Sequence, residues 1–363
     1  LQLNDNFKTP GLIGIPYNVI IIASIIISKG TNFYVLIIGS LIALISQVLF
    51  QLPAVKRTGF KYNLKVDFKD ENVKYLIILI LPVLIGGGVE QVNTLIDGTL
   101  ASTFGEGVVT SFNYANRLYG FVSSIFVVSI LSVVYPIMAK TSAAEDTKAF
   151  KISIKKTLNI ILMFIIPICV GTLVLSGPIV KLLFERGKFN ESDTIMTANI
   201  LMVYIISILA FSLRNVISRA FYSLHDTKTP MINGAIAIVF NIVLNIVLSK
   251  YMGYLGLAIA TTIAAYIGLV IFLVTLRKRI GSFDGKSILA TAIKSIISAA
   301  IMGIATSICY NQLANVLGVG LISQVIHLGL SILVGVVVYA MSIFILKVEE
   351  TQIVLDIIKK KIK

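Results

Sequence analysis

The chain has 363 residues, of which 57% are hydrophobic and 13% are charged, and its mean hydropathy is +0.94. A soluble globular domain carries about 25% charged residues, so this composition excludes one and predicts an integral membrane protein. The formal net charge of +14 does not indicate nucleic-acid binding, because the basic residues fall in short loops between apolar stretches.

Ten apolar stretches are long enough to cross a bilayer, for which a helix needs about 20 residues. In chain order they cover Thr9 to Ser28, Phe33 to Leu52, Val73 to Ala101, Val108 to Ala139, Ser153 to Leu175, Thr194 to Tyr222, Thr229 to Leu248, Leu255 to Leu276, Ser287 to Gln312 and Ile322 to Leu346. We therefore predict an all-α membrane protein with ten transmembrane helices.

The first and seventh predicted helices begin with the same motif. Lys8-Thr9-Pro10 recurs as Lys228-Thr229-Pro230, and each copy leads into two helices and a basic exit, Lys56-Arg57 or Lys278-Arg279. Four further helices lie between the copies, so the repeating unit has six helices and the first unit is represented by its last two. By symmetry, we expect four helices, roughly 150 residues, upstream of Leu1.

This repeat divides the chain into four parts. Residues 1–60 hold the last two helices of an N-terminal lobe, and residues 61–281 form a six-helix C-terminal lobe. Residues 282–346 form a final helix pair, and residues 347–363 form a basic cytoplasmic tail. The tail places isoleucines at helical spacing beside lysines, which predicts either an amphipathic helix on anionic membrane lipid or a frayed end.

The basic residues also predict the orientation of the helices. If the chain enters from the cytoplasm, 23 of the 31 Lys and Arg residues fall in cytoplasmic segments, 5 in outer loops and 3 inside helices. Cytoplasmic loops carry an excess of Lys and Arg in membrane proteins. Both ends of this chain are therefore predicted to face the cytoplasm.

Arg117 is the first candidate for function among the charges inside the predicted helices. It shares a helical face with Asn113 and Gly120, and Asn116 precedes it. A charge at bilayer depth costs about 2.5 to 3.5 kcal/mol, so each such residue is a functional candidate. Arg suits a diphosphate because its planar fork donates two hydrogen bonds and stays charged. The alternative is a structural Arg that pairs with an acid or reaches out to the interface.

Two acids lie on the preceding predicted helix. Glu90 and Asp97 share one face of it, after Gly86-Gly87-Gly88, which weakens the helix and could let it bend. An acid at this position pairs with Arg117, titrates or binds a cation. Arg214 is a further candidate for substrate binding. The alternative is that its side chain snorkels to the interface, because Arg214 lies about two turns from the cytoplasmic end of its helix.

Oxygen-bearing side chains recur on the seventh and eighth predicted helices. Asn241 and Asn245 are spaced i, i+4 on one helix, and Thr261 lies on the next. Together with Asp97 they offer hard oxygen ligands and one negative charge, which suits a monovalent cation such as sodium. The alternative is that Asn and Thr tie the helices together by hydrogen bonds.

Three motifs resemble the MurJ (MviN) family of lipid II flippases, and the resemblance covers nearly the whole chain. The motifs are Asn113-Tyr-Ala-Asn-Arg117, Leu182-Leu-Phe-Glu-Arg-Gly-Lys-Phe189 and Arg219-Ala-Phe-Tyr-Ser-Leu-His-Asp-Thr-Lys-Thr-Pro230. Members of that family have fourteen transmembrane helices, in two six-helix lobes and a final pair, within the multidrug/oligosaccharidyl-lipid/polysaccharide (MOP) exporter superfamily. The ten helices of this chain would be the fifth to the fourteenth.

The resemblance implies a substrate and a set of site residues. Lipid II, the undecaprenyl-diphosphate-linked peptidoglycan precursor, would move from the inner to the outer leaflet of the bacterial cytoplasmic membrane, through a carrier that works as a monomer. Arg117 matches the cavity arginine of the second lobe, and Asp97, Asn241, Asn245 and Thr261 fall where some members are thought to hold sodium. The final helix pair would form a groove for the lipid tail.

This sequence departs from the family pattern in three ways. Asn116 stands where some members have Asp, and Gly120 stands where some have an acid or an amide, so the charge balance around Arg117 differs. The family's other cavity arginines lie on its first helices, which are absent here. We therefore expect that this chain alone does not transport.

Other function classes fit the residues less well. A multidrug or cation antiporter of the same superfamily would need a cavity of the opposite charge to Arg117. A flippase for another polyprenyl-linked polysaccharide precursor differs only in the sugar. A membrane enzyme acting on such lipids would carry catalytic acids or histidines in sizeable outer loops, which are short here, and a non-transporting scaffold is the remaining alternative. We predict a transporter and no enzyme.

Overall fold

The computed structural model describes residues 8–28, 33–59, 73, 94–144, 146–318, 320–348 and 350–351. The helices are α1 (Lys8–Leu12), α2 (Gly14–Ser28), α3 (Tyr34–Arg57), α4 (Val108–Val122), a π-helical segment (Ser123–Val128), α5 (Ser129–Ala143), α6 (Thr147–Phe184), α7 (Glu191–Ser223), α8 (Lys228–Ile280), α9 (Gly285–Leu317) and α10 (Leu321–Ile345). Residues 94–102 are also helical and are called the 94–102 segment. The chain divides into two compact units, Leu1–Leu79 and Ile80–Lys363.

Eight helices in the described ranges are long and apolar enough to cross a membrane. One of them, α8, has 53 residues and a break at Gly253, where φ is 59° and ψ is −142°. It therefore holds both the seventh and the eighth predicted helices. The predicted helix from Val73 to Ala101 lies mostly outside the described residues, as do Glu90 and tail residues 352–363. The all-α membrane fold predicted from the apolar stretches is confirmed.

Several helices are longer than the apolar stretches that predicted them. The fifth was predicted from Ser153 to Leu175, but α6 runs over 38 residues, about 57 Å at 1.5 Å per residue. Its start is stabilised by Asp146, whose side chain accepts a 2.9 Å hydrogen bond from the Ala149 amide. Since the hydrocarbon core is only about 30 Å thick, apolar sequence marks the buried middle of such a helix and not its ends.

Small residues join α2 and α3 in the first unit. Ser24 and Ala43 are buried in this unit, and a side chain at Gly39 would overlap that of Ser24. The two backbones therefore approach closely, as small residues permit between membrane helices. Most other apolar residues of α2 and α3 are exposed on the unit, which suits contact with hydrocarbon.

Two apolar clusters form the core of the second unit. The larger one joins α5, α6, α7 and α8, and its fully buried members include Ile154, Leu158, Ile161, Ile165, Ile205, Ile208, Val216 and Phe221. The smaller one joins the 94–102 segment, α4, α6, α7 and α8 through Ala101, Phe112, Ala115, Val180, Leu201, Tyr204 and Leu257. These clusters hold α4 and α8 in place around the polar residues described below.

The final helix pair packs on α6. A Cβ at Gly303 of α9 would lie 2.8 Å from Val170 of α6, and the Tyr339 hydroxyl of α10 donates a 2.6 Å hydrogen bond to the Met163 carbonyl. The chain leaving α10 turns back toward the same helix. There Glu350 is buried, and its Oε1 accepts a 2.5 Å hydrogen bond from Nδ2 of Asn159. The start of the predicted tail thus packs against α6 of the same unit.

Candidate functional site

The helix α4 has one buried face and one exposed face. The buried residues are Val108, Ser111, Phe112 and Ala115, at the i, i+3, i+4, i+7 spacing of a helix packed on a core. The exposed residues include Asn113, Asn116, Arg117 and Gly120. The predicted face of α4 thus points away from the core of the second unit.

Arg117 has no acidic partner among the residues that the structure describes. No carboxylate oxygen there lies within 4.0 Å of its guanidinium group. Glu90, one of the two predicted partners, lies outside the described ranges. A Cβ at Gly120, one turn further along, would meet no atom of the described residues within 4 Å. The described part of the chain therefore leaves open space beside Gly120, on the face that carries Arg117.

The helix changes its winding directly after this face. Residues Ser123–Val128 form π-helix in the middle of a continuous helix, and Ser124 Oγ donates a 2.7 Å hydrogen bond to the Gly120 carbonyl. Single π turns inside α-helices often accompany functional sites and local bends. This feature was not predictable from the sequence, because Ser123–Val128 is as apolar as its surroundings.

The four predicted cation ligands lie together in the second unit, at what we call the polar cluster: Asp97, Asn241, Asn245 and Thr261. Asn245 Nδ2 lies 2.5 Å from Asp97 Oδ1 and 3.2 Å from Asn241 Oδ1, and Asn241 Nδ2 lies 3.3 Å from Thr261 Oγ1. Asn245 is fully buried, and its Oδ1 accepts no hydrogen bond in the described part of the chain. A buried oxygen without a donor is costly unless a ligand or water satisfies it.

The break in α8 brings Thr261 to the rest of the polar cluster. Gly253 adopts a positive φ, which glycine tolerates and other residues rarely do, so the chain reverses there. Gly256 then contacts the Leu248 carbonyl so closely that no Cβ would fit. Asn241 and Thr261, one on each side of the break, meet as a result. The cluster has one carboxylate and otherwise neutral oxygens, which suits a monovalent cation better than a transition metal.

Tyr204 on α7 is buried against α4, with only 6% of its surface exposed. Its ring packs edge-on against Phe112, with 5.8 Å between centroids, and against Tyr119, with 6.4 Å. Tyr204 was not among the predicted candidates. The available signal was a Tyr inside an apolar helix, since a buried phenol needs a polar partner.

Arg214 lies three turns further along α7, against aromatic rings. Its guanidinium carbon is 4.6 Å from the centroid of Phe211 and 6.0 Å from that of Phe272. A Cβ at Gly268 of α8 would lie 3.6 Å from its Nη1. Cation–π contacts of this kind stabilise a partly buried Arg. A role for Arg214 in binding substrate stays a prediction.

An apolar cleft opens between α6 and α9. Its volume is about 360 Å³, and it is lined by Val174, Ala300, Gly303, Ile304, Ser307 and Ile308. Gly303 is one reason for the cleft, because a larger side chain there would collide with Val170.

A family model for the lipid II flippase MurJ matches residues 1–328. The chain belongs to the MurJ family. Among its relatives is the probable lipid II flippase MurJ of Vibrio cholerae, 33% identical over 234 residues, which are 64% of this chain and 45% of that protein. The counterpart in Rickettsia prowazekii is 30% identical over 319 residues, which are 86% of this chain and 61% of that protein. The resemblance predicted from the three motifs is confirmed.

The fold is also that of a MurJ transporter. A solved lipid II flippase MurJ in an inward closed conformation matches with a TM-score of 0.73 and 27% identity, over 93% of this chain and 67% of that one. A MOP superfamily transporter from Pyrococcus furiosus matches with a TM-score of 0.50 and 17% identity, over 74% and 63%, which shows the fold alone. The chain spans about half the length of the MurJ relatives from V. cholerae and R. prowazekii.

Proposed function

We propose that this chain belongs to a flippase that moves lipid II from the inner to the outer leaflet of the bacterial cytoplasmic membrane. The exposed face of α4 carries this proposal, because it presents Arg117 with no acid within 4.0 Å in the described residues. Two parallel hydrogen bonds from a guanidinium group suit a diphosphate. The amides of Asn113 and Asn116 flank it on the same surface and would contact the diphosphate or the sugars, with Glu90 and Arg214 completing the set.

Transport must carry this polar head group across about 30 Å of hydrocarbon. We propose alternating access, in which two lobes rock and expose a central cationic cavity to each side in turn. The polyprenyl tail stays in lipid, and the cleft between α6 and α9 would guide it beside the final helix pair. The carrier would work as a monomer, with both ends of this chain in the cytoplasm.

We further propose that the polar cluster binds sodium. The carboxylate of Asp97 supplies the charge, while Asn241, Asn245 and Thr261 supply neutral oxygens. The buried Oδ1 of Asn245, which accepts no hydrogen bond among the described residues, supports this proposal because a cation would satisfy it. A bound cation would then drive the return of the empty carrier.

The test uses the full-length protein in liposomes that contain lipid II. It measures the leaflet exposure of lipid II and, separately, the affinity of the protein for undecaprenyl diphosphate. Arg117→Ala should lower the affinity for undecaprenyl diphosphate about 150-fold, because it removes two charge-assisted hydrogen bonds worth about 1.5 kcal/mol each. Lys188→Ala, an exposed cation in the loop before α7, is the matched control and should leave binding unchanged.

Normal lipid II translocation by the Arg117→Ala protein would contradict the role of Arg117. Preference for a different polyprenyl-linked sugar in a competition assay would instead select a polysaccharide-precursor flippase. Extrusion of cationic drugs would select an antiporter.

A further inference from the structure

The motif from Leu182 to Phe189, which the proposed function does not use, packs its aromatic rings against α4. The Phe184 ring stacks on the Tyr114 ring, with 4.3 Å between centroids and 23° between planes. The Phe189 ring meets Tyr114 edge-on, with 5.5 Å between centroids, and lies 6.2 Å from Phe184. Three rings, from α4, the end of α6 and the loop after it, therefore form one contact, which we call the aromatic clamp.

We propose that Tyr114 is a positioning residue, which the aromatic clamp holds so that Arg117, on the next turn of α4, is aimed at the diphosphate. This inference rests on the proposed function, because it takes Arg117 as the group that binds the diphosphate. It adds the contact that fixes the direction of Arg117, and it gives the loop between α6 and α7 a role in substrate binding.

The position of Tyr114 on α4 decides what the clamp can do. Residues three apart are neighbours on a helix surface, and Tyr114 follows the buried Ser111 by three residues and precedes the exposed Arg117 by three. It therefore lies on the flank between the core face and the exposed face. Contacts on the core face hold one side of α4, and a second contact on the flank resists rotation about the helix axis.

The loop that carries the clamp is itself held in place. The Glu185 carboxylate, at the end of α6, accepts a 2.8 Å hydrogen bond from the Thr194 hydroxyl on α7. Gly187 makes the turn with a φ of 65°, which glycine adopts without strain. The Phe189 amide then donates a 3.2 Å hydrogen bond to the Arg186 carbonyl. The two phenylalanine rings of the clamp are therefore fixed with respect to α6 and α7.

The winding of α4 beyond Arg117 explains why a clamp is needed. The π-helical segment Ser123–Val128 follows soon after Arg117, and π-helical turns are places where helices bend. A rotation of about 20° moves a group about 6 Å from the helix axis by about 2 Å. A binding group has to be held within about 0.5 Å of its productive position. The clamp supplies this restraint on the side of Arg117 away from the π-helical segment.

The test measures undecaprenyl diphosphate binding to the full-length protein. Tyr114→Leu, which removes the ring, should lower the affinity at least 10-fold, because a misplacement of about 1 Å can weaken a site about 100-fold. Tyr114→Phe keeps the ring and should bind within about twofold of the unsubstituted protein. Phe164→Leu, the same kind of substitution at an exposed position on α6, is the matched control and should leave binding unchanged.

A double-substitution cycle separates positioning from a general loss of structure. If Tyr114 acts through Arg117, Tyr114→Leu should change the affinity of the Arg117→Ala protein by less than about twofold, since substitutions that act on one interaction are not additive. A further 10-fold loss in that protein would overturn the inference. An unchanged affinity in Tyr114→Leu, or an equal loss in Tyr114→Phe, would overturn it as well.

Phe184→Leu provides a second route to the same test if Tyr114→Leu does not fold. It keeps Tyr114 and removes the ring stacked on it, and its loss of affinity should likewise vanish in the Arg117→Ala protein. A loss that persists there would overturn the inference and leave the flippase proposal standing. Full affinity in the Arg117→Ala protein itself would refute the flippase proposal, on which the inference rests.

Discussion

Replacing Asn159 by Ala should destabilise the second unit, whereas replacing Glu350 by Gln should not. Asn159 is 0% exposed and Glu350 is 2% exposed, and one hydrogen bond of 2.5 Å joins them. The second oxygen of each group, Oδ1 of Asn159 and Oε2 of Glu350, is buried and accepts no hydrogen bond in the described part of the chain. Among the described residues, the pair therefore has two buried acceptors and no donor for either.

These contacts set the expected magnitudes. Asn159→Ala removes a charge-assisted hydrogen bond and leaves the Glu350 carboxylate buried without a partner. Breaking a buried pair in this way typically lowers the free energy of unfolding by about 3 kcal/mol or more. That corresponds to a roughly 150-fold change in the unfolding equilibrium. Glu350→Gln keeps Oε1 as the acceptor and adds an N–H group that can donate to Oδ1 of Asn159. We expect it to be neutral or to stabilise by about 1 kcal/mol.

The free thiol of Cys169 provides the assay. It is buried in the core of the second unit, so its reaction with a thiol-specific fluorophore reports unfolding in detergent. Cys309, which is partly exposed, is replaced by Ser in every variant. Asn311→Ala, at an exposed position on α9, is the control and should not shift the unfolding midpoint. Equal shifts for Asn159→Ala and Glu350→Gln, or no shift for Asn159→Ala, would refute the reasoning.

Three further predictions concern α8 and the polar cluster. Gly256→Ala should open the helix break, because its Cβ would overlap the Leu248 carbonyl. We expect the free energy of unfolding in the Cys169 assay to fall by about 3 kcal/mol or more, and an unchanged midpoint would contradict this. Asp97→Asn should abolish sodium binding in calorimetry, because it removes the only carboxylate of the cluster, and retained binding would place the cation elsewhere. Hydrogen bonds from the Thr229 amide and hydroxyl, 2.9 and 2.7 Å long, lower the pKa of Asp226. The Asp226 carboxylate should therefore stabilise the fold above about pH 4, and this stabilisation should be lost as the pH falls through the lowered pKa. Asp226→Asn should flatten the pH dependence of the unfolding midpoint in this range.

The membrane class, the helices and the family were predictable from the sequence because each depends on local residue patterns. A chain in hydrocarbon must satisfy its backbone groups internally, so a long apolar stretch has to be a helix. The candidate residues were predictable for a related reason, since a polar side chain in an apolar stretch is costly and stands out. Arg117, Asn241, Asn245 and Asp97 were all found in this way.

The tertiary structure decided which of these residues meet. Helical periodicity assigns a residue to a face, but the rotation and register of neighbouring helices depend on packing between distant segments. The i, i+4 spacing predicts the contact of Asn241 with Asn245, whereas the contact of Asn241 with Thr261 exists because Gly253 reverses the chain between them. The burial of Glu350 against Asn159 follows from such long-range packing, which leaves no local pattern in the sequence.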